Sequence, residues 1–197
     1  MTSADIAAHK EQIVDACKAL IKSHVMSISE HGNVSARVRG TKTFLLTAGG
    51  SLANMTAENI ALFNLDGTLL DGAVEPTSAE IVDMHGVVYR LRPEIGGALH
   101  THSPYATSFA VAGEPIPLIY EAQARFNMTD GVPIAEYGPR GSKESVDNIA
   151  KAIQANPNTG GVLLANHGVL AFADTVLGAS SNARAIDSAK NIQGNIT

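Results

Sequence analysis

The apolar residues of this 197-residue chain recur with two periods, one typical of helices and one typical of strands. Helical spacing predicts a first helix from about residue 3 to residue 23. By the same criteria we expect further helices over 77–91, 104–112, 143–155 and 175–193, and strands over 34–38, 44–47, 60–65, 98–100, 132–135, 161–164 and 169–172. Helices and strands alternate, and several neighbouring strands are close enough for antiparallel pairing. This order predicts an α/β protein, a three-layer α/β/α sandwich around a mixed, largely antiparallel central sheet.

Length and composition narrow the function classes. A chain of 197 residues predicts one domain over residues 1–197 with a substantial core. The net charge is −5, and no cluster of Lys and Arg forms a basic stripe, so we expect no nucleic-acid partner. The single cysteine, Cys17, excludes an internal disulfide and a cysteine-based zinc site. The N-terminus lacks the apolar core of a signal peptide, and no apolar run approaches about 18 residues, so a cytoplasmic protein without a membrane partner is expected.

Three histidines follow short apolar runs that we interpret as buried strands. His100 and His102 are two residues apart, and His167 follows a separate strand. Residues i and i+2 of a strand point to the same face, so the first two imidazoles can reach one ion. Three neutral imidazoles with an open position suit catalytic zinc. For the His-x-His pair alone, two unrelated histidines in turns remain the simpler explanation.

Three polar segments, over 32–35, 47–51 and 75–80, combine glycine with small hydroxyl and amide side chains. Such segments let backbone N–H groups approach an anion closely, and a helix start at the third segment would add a favourable dipole. Taken singly, each segment is explained equally well by a turn or a helix cap. None of them contains Lys or Arg, so we expect a pocket of neutral donors that binds inorganic phosphate only weakly.

In chain order, these segments resemble the class II sugar-phosphate aldolase and adducin family. The resemblance covers about residues 32–172 and rests on Gly-Asn-Val-Ser, Thr-x-x-Gly, Pro-Thr-Ser with a Glu, Met-His to Arg-Pro, His-Thr-His-Ser and Asn-His-Gly. It implies a Zn²⁺ ion, or Mn²⁺ or Co²⁺ as in some relatives, bound by His100, His102 and His167. It also implies a homotetramer of fourfold symmetry with sites near the subunit boundaries.

The same resemblance implies roles for further residues. Glu80 would be the acid/base group and would also ligate the metal when substrate is absent, and Tyr120 would be a second catalytic residue. The implied reaction is reverse-aldol cleavage of a small, anionic hydroxy-carbonyl substrate, in which the metal stabilises an enediolate. A substrate phosphate or its equivalent would be surrounded by Asn33, Ser35, Thr47, Gly49, Thr77 and Ser78.

Three departures from the family pattern keep alternatives open. An extra residue, Ala79, precedes Glu80, so Asp83 becomes a rival base. The second segment, from Thr47, is Thr-Ala-Gly-Gly where relatives often have Thr-Pro-Thr/Ser-Gly. One hydroxyl is lost, so an anion other than phosphate stays open as the group recognised. Tyr120, beside a glutamate, is equally well explained as an interface or core aromatic.

The reaction type also stays open at this point. Decarboxylase, dehydratase and epimerase activities use the same kind of site as an aldolase. A non-catalytic, adducin-like binding module is less favoured because all three histidines are present. A zinc hydrolase is disfavoured because the chain has no His-Glu-x-x-His motif.

Overall fold

One mixed sheet of eight strands forms the centre of the molecule. The structure is a computed structural model that describes residues 3–23, 25–27, 30–118, 121–126 and 128–188. The strands lie in the order β4-β3-β2-β1-β5-β8-β7-β6. Their bounds are β1 Gly32–Val38, β2 Thr43–Thr47, β3 Ile60–Asn64, β4 Leu69–Asp71, β5 Gly97–Thr101, β6 Ile134–Ala135, β7 Gly161–Leu164 and β8 Gly168–Ala173.

Every pair of neighbouring strands is antiparallel except β6 and β7, which are parallel. The sheet is therefore mixed and largely antiparallel, as predicted. The pairing at its centre matters most for function, because β1 pairs with β5 and places Asn33 opposite His100. On its other edge β5 pairs with β8, so the β7–β8 hairpin that contains His167 lies beside β5.

Helices cover both faces of the sheet. Their bounds are α1 Ser3–Lys22, α2 Pro76–Ala79, α3 Val82–Leu91, α4 Pro104–Ala112, α5 Glu121–Arg125, α6 Lys143–Ala155 and α7 Val176–Asp187. Helices α1, α4 and α7 pack on one face, and α3 and α6 pack on the other. The predicted three-layer α/β/α sandwich is confirmed. No helix among these elements combines the length and apolarity needed to cross a bilayer.

The strands at the centre of the sheet are buried on both sides because both faces are covered. In β2, Leu45 packs into the core under α1 and α7, whereas Phe44 and Leu46 pack into the core under α3 and α6. This alternation follows the two-residue period of a strand. A strand with two covered faces is apolar throughout, which explains why β2 and β5 look like uninterrupted apolar runs in the sequence.

The helix predicted over 77–91 is broken in the structure. Helix α2 ends at Ala79 and α3 begins at Val82, with Glu80 and Ile81 between them. An extra residue in an unbroken helix would rotate everything after it by about 100°. The break keeps Ser78 buried at the cavity while the apolar face of α3 still packs against the sheet. Since α2 has only four residues, this segment lacks the helix dipole that we expected from the sequence.

A strand and a short α-helix were not predicted from the sequence, and one predicted helix extends past the described residues. All three residues of strand β4 are exposed, so the strand has no buried face that would give an alternating pattern. Helix α5 spans only one turn and a half. The last predicted helix is seen as α7, and its predicted residues 189–193 lie outside the described residues.

Candidate metal and substrate site

The three predicted histidines converge. One ligand atom from each of His100, His102 and His167 lies within 4.8 Å of the others. The Nε2 atoms of His100 and His102 are 3.1 Å apart. Two imidazoles bound to one tetrahedral zinc at about 2.0–2.1 Å have their nitrogens about 3.4 Å apart, so the spacing fits a shared ion. The donor set has the chemistry and the separation of a three-histidine metal site.

Local backbone geometry brings the third histidine to the first two. The turn between β7 and β8 contains Asn166 at φ 60°, a left-handed conformation that Asn tolerates better than most residues. Gly168 follows at the start of β8. A Cβ at this position would lie 2.6 Å from the carbonyl oxygen of Thr101 and 3.0 Å from the ring of His102. Only glycine allows the hairpin to approach β5 this closely, and that approach completes the set.

Hydrogen bonding and burial keep the imidazoles in a form that could bind a metal ion. Nδ1 of His100 donates to the carbonyl of Val169 at 3.0 Å, which leaves Nε2 with its lone pair free to bind. Burial, together with the neighbouring His167 and His102, holds the pKa of His100 well below its usual range. Burial also lowers the pKa of His102 and of His167, and the positive charge of Arg140 lowers both further. Neutral imidazoles at pH 7 are the form that binds a metal ion.

A cavity of about 410 Å³ opens beside the histidines. It brings together residues from distant parts of the chain, including five of the six predicted substrate-binding residues. The lining residues are His31, Gly32, Asn33, Thr47, Gly49, Gly50, Ser51, Glu75, Thr77, Ser78, Ile81, His100, His102, Arg140 and His167.

Ser35 is the predicted residue that the structure does not bring to the cavity. Its side chain is fully buried behind the site. The Ser35 hydroxyl lies 2.7 Å from Nδ1 of His85 and 2.7 Å from the hydroxyl of Tyr89. Nε2 of His85 in turn donates to Oδ1 of Asn33 at 2.5 Å. Ser35 therefore acts on the cavity through His85, which fixes the orientation of the Asn33 carboxamide.

The two candidate bases are placed differently from each other. The Glu80 carboxylate lies 3.0 Å from Nε of Arg140, a residue that lines the cavity, but Glu80 itself is half-exposed and does not line it. Asp83 pairs with Arg90 at 3.6 Å and borders a different cavity. The structure thus brings Glu80 to the rim of the histidine site and Asp83 away from it. Tyr120 lies outside the described residues.

Comparison with known proteins places this geometry in a family. The sequence profile described as the class II aldolase and adducin N-terminal domain matches residues 11–193. The chain belongs to the class II aldolase and adducin family. A 5-deoxy-D-ribulose 1-phosphate aldolase of Bacillus thuringiensis is 32% identical over 168 residues, which cover 85% of this chain and 75% of that protein.

Further relatives agree with this class II aldolase assignment. An L-ribulose-5-phosphate 4-epimerase of Salmonella paratyphi C is 29% identical, over 88% of this chain and 78% of its own length. The solved structure of an L-fuculose 1-phosphate aldolase superposes with a TM-score of 0.83 at 26% identity, over 99% of this chain and 88% of that one. Aldolases are carbon–carbon lyases, and the chain is an enzyme of this class.

Within this aldolase-type site, three titratable lining residues were not assigned a role from sequence. His31 precedes the Gly-Asn segment, and its only signal was that position. Glu75 precedes Pro76 and belongs to the segment 75–80, which the sequence analysis interpreted by its hydroxyl groups and not by its charge. Arg140 lies 20 residues or more along the chain from every predicted site residue, and it corrects the expectation that the pocket holds only neutral donors.

Proposed function

We propose that this protein is a metal-dependent lyase that cleaves a small hydroxy-carbonyl compound by a reverse-aldol reaction. The observation that carries the proposal is the convergence of His100, His102 and His167 at a cavity, in a chain whose relatives are named aldolases. Those three side chains would hold one divalent ion, Zn²⁺ first and Mn²⁺ or Co²⁺ as alternatives. When bound, the ion supplies Lewis-acid stabilisation of the negative charge that develops on the carbonyl oxygen.

The residues of the chain supply orientation. The Asn33 carboxamide has its oxygen engaged by His85, so its N–H groups are available to a substrate oxygen. Thr77 and Ser78 line the same wall of the cavity and offer hydroxyls. These neutral donors and the ion at the three histidines would hold the substrate with its reacting carbon atoms in one orientation. Such positioning contributes to the rate.

Proton transfer needs a carboxylate, and we assign it to Glu80. Two arguments support the assignment: the family resemblance, and the contact of Glu80 with Arg140 at the rim of the cavity. Glu80 would take the proton from the substrate hydroxyl as the carbon–carbon bond breaks. Tyr120 would serve as the second proton-transfer group, and a homotetramer would bring sites to its subunit boundaries; both stay proposals from the resemblance.

The test is a screen of the zinc-loaded protein against hydroxy-carbonyl compounds, with aldehyde release as the readout. The matched control is the His100→Ala/His102→Ala double variant, with its folding checked by circular dichroism. We expect release from the wild type and none above background from the double variant. Equal release from both proteins would show that the histidines do not take part.

Epimerisation is the second candidate, and the relationship to an L-ribulose-5-phosphate 4-epimerase is the observation that favours it. An epimerase could break the same bond but would rejoin the fragments before they leave. NMR of the reaction mixture separates the two functions. An aldolase releases two products, whereas an epimerase yields one diastereomer of the substrate and no free aldehyde.

A further inference from the structure

Arg140 is the one Lys or Arg among the described residues that line the cavity, and it belongs to a tight turn. The turn covers residues 139–142: the N–H of Ser142 donates to the carbonyl of Pro139 at 3.0 Å, and Gly141 has φ 74°. A left-handed residue at the third position of a turn is usually glycine. The local sequence therefore builds a turn at this point, and the Arg140 side chain reaches from it to α2 and the cavity.

Helix α6 anchors this turn and the residues that precede it. The side chain of Ser142 caps the helix, because its hydroxyl accepts the N–H of Ser145 at 3.1 Å. Asn148 is buried, and its Nδ2 lies 3.3 Å from the carbonyl oxygens of both Glu136 and Tyr137. The turn is thus tied to a regular element at both of its ends, and its arginine starts from a well-supported backbone.

The guanidinium of Arg140 makes two contacts and has donors left for a ligand. Its Nη2 donates to the carbonyl of Thr77 at 2.8 Å, and its Nε lies 3.0 Å from a carboxylate oxygen of Glu80. A guanidinium has five N–H groups, so these two contacts leave three. Arg140 and Glu80 are both about half-exposed, and an ion pair in such a position is weak. An anion in the cavity could therefore replace Glu80 as the partner of Arg140.

Two of the residues that the family resemblance implies around a substrate phosphate lie next to this guanidinium. Thr77, whose carbonyl accepts from Arg140, and Ser78 line the same cavity as Arg140. Their hydroxyls are neutral donors, and the carboxylate of Glu75 also lines the cavity. A doubly charged phosphate needs a cation to offset that carboxylate. Arg140 can supply it, because a guanidinium binds two phosphate oxygens through parallel hydrogen bonds.

We propose that Arg140 binds the phosphate of the substrate and gives up Glu80 when it does so. In the substrate-free protein Arg140 pairs with Glu80. In the complex it pairs with the phosphate, and the Glu80 carboxylate is released at the rim of the cavity for proton transfer. Arg140 is then a specificity-determining residue that favours phosphorylated substrates. This inference rests on the proposed lyase function, in which Glu80 is the base.

A matched pair of probes tests the phosphate contact. Glycolohydroxamate and its phosphate ester share one zinc-chelating head, so the ratio of their affinities reports the tail alone. Calorimetric titration of the zinc-loaded wild type should show a preference of about tenfold or more for the phosphate ester. Arg140→Met should lower that preference about tenfold or more, which is the scale of one hydrogen bond to a charged group. Arg140→Lys should recover part of the loss.

A control variant separates this contact from net charge. Lys143→Met removes an exposed cation at the start of α6, three residues from Arg140 and outside the lining of the cavity. The preference for the phosphate ester should stay within about twofold of the wild type, because solvent screens a charge in that position. Circular dichroism of each variant confirms that the fold is kept.

Variants of Glu80 test the exchange of partners. Glu80→Gln removes the competing carboxylate and should raise the preference for the phosphate ester about threefold, the scale of an exposed ion pair. The same substitution in the Arg140→Met background should leave the preference unchanged, because no exchange takes place there. Asp83→Asn removes a carboxylate that borders a different cavity, so it should leave the preference at the wild-type value.

The possible failures are distinguishable. A wild type without a preference for the phosphate ester, or a preference that Arg140→Met does not change, would overturn the proposal. A Glu80→Gln gain that is absent, or equal in the two backgrounds, would also overturn it. Each of these results would leave the lyase function intact, because both probes would still bind through the zinc-chelating head. A zinc-loaded wild type that binds neither hydroxamate would overturn both.

Discussion

Replacement of Ser35 by alanine tests whether the buried hydrogen-bond chain behind the site is a structural requirement. Ser35→Ala removes the partner of His85 Nδ1 and one partner of the Tyr89 hydroxyl, and all three side chains are fully buried or nearly so. The His85 acceptor is left without a partner, which costs about 1–3 kcal/mol. The Tyr89 hydroxyl also loses its 2.7 Å hydrogen bond to Ser35, which contributes a net value of about 0.5–1.5 kcal/mol.

The sum predicts that Ser35→Ala lowers the free energy of unfolding by about 1.5–4.5 kcal/mol. In a chain of this length each kcal/mol corresponds to a fall in Tm of about 2–4 °C. Urea unfolding followed by circular dichroism measures the change. The matched control is Ser108→Ala, whose exposed hydroxyl bonds only to Pro104 within α4 and which should change stability by less than about 0.5 kcal/mol. Equal stability of the two variants would refute the reasoning.

Three further predictions follow from the site. Glu80→Gln should lower kcat by about 10²–10⁴ with zinc still bound, and Asp83→Asn should be nearly silent; the reverse order of effects would move the base to Asp83. Burial lowers the pKa of His85 to about 3, so its protonation destabilises the fold. From His85 alone, stability should be full above about pH 6.5 and fall by about 1.4 kcal/mol for each pH unit below it, and the lowered pKa values of His100, His102 and His167 add losses in the same direction. Equal free energies of urea unfolding at pH 7.5 and 5.5 would contradict this. Sedimentation should show a tetramer, and a fully active monomer would exclude the proposed assembly.

Local sequence patterns predicted much of the fold and the three histidines that converge in it. The prediction that His100 and His102 point to the same face required only the two-residue period of a strand. Helices α4 and α6 were predicted at their observed bounds because Pro104 at a helix start and the amphipathic pattern of 143–155 are local signals. Where a residue's role depends on its own neighbours in sequence, the sequence was sufficient.

Local sequence patterns could not predict how charge is distributed in the cavity. Arg140 reaches the site from the loop before α6, and only the three-dimensional structure brings its guanidinium to Thr77 and Glu80. The position of Ser35 depends on which face of β1 meets α3, and the one-residue register of a strand decides whether a side chain faces ligand or core. The effect of the extra Ala79 was equally undetermined, because a helix can absorb an added residue by rotation or by breaking.

The amount of zinc retained per chain is the measurement that tests the central claim most directly. Elemental analysis would compare the wild type with the His100→Ala/His102→Ala variant after both are loaded with zinc and dialysed at pH 7.5. The convergence of His100, His102 and His167 predicts about one zinc per chain in the wild type and essentially none in the variant. Equal zinc content in two folded proteins would contradict the claim that these histidines form the metal site.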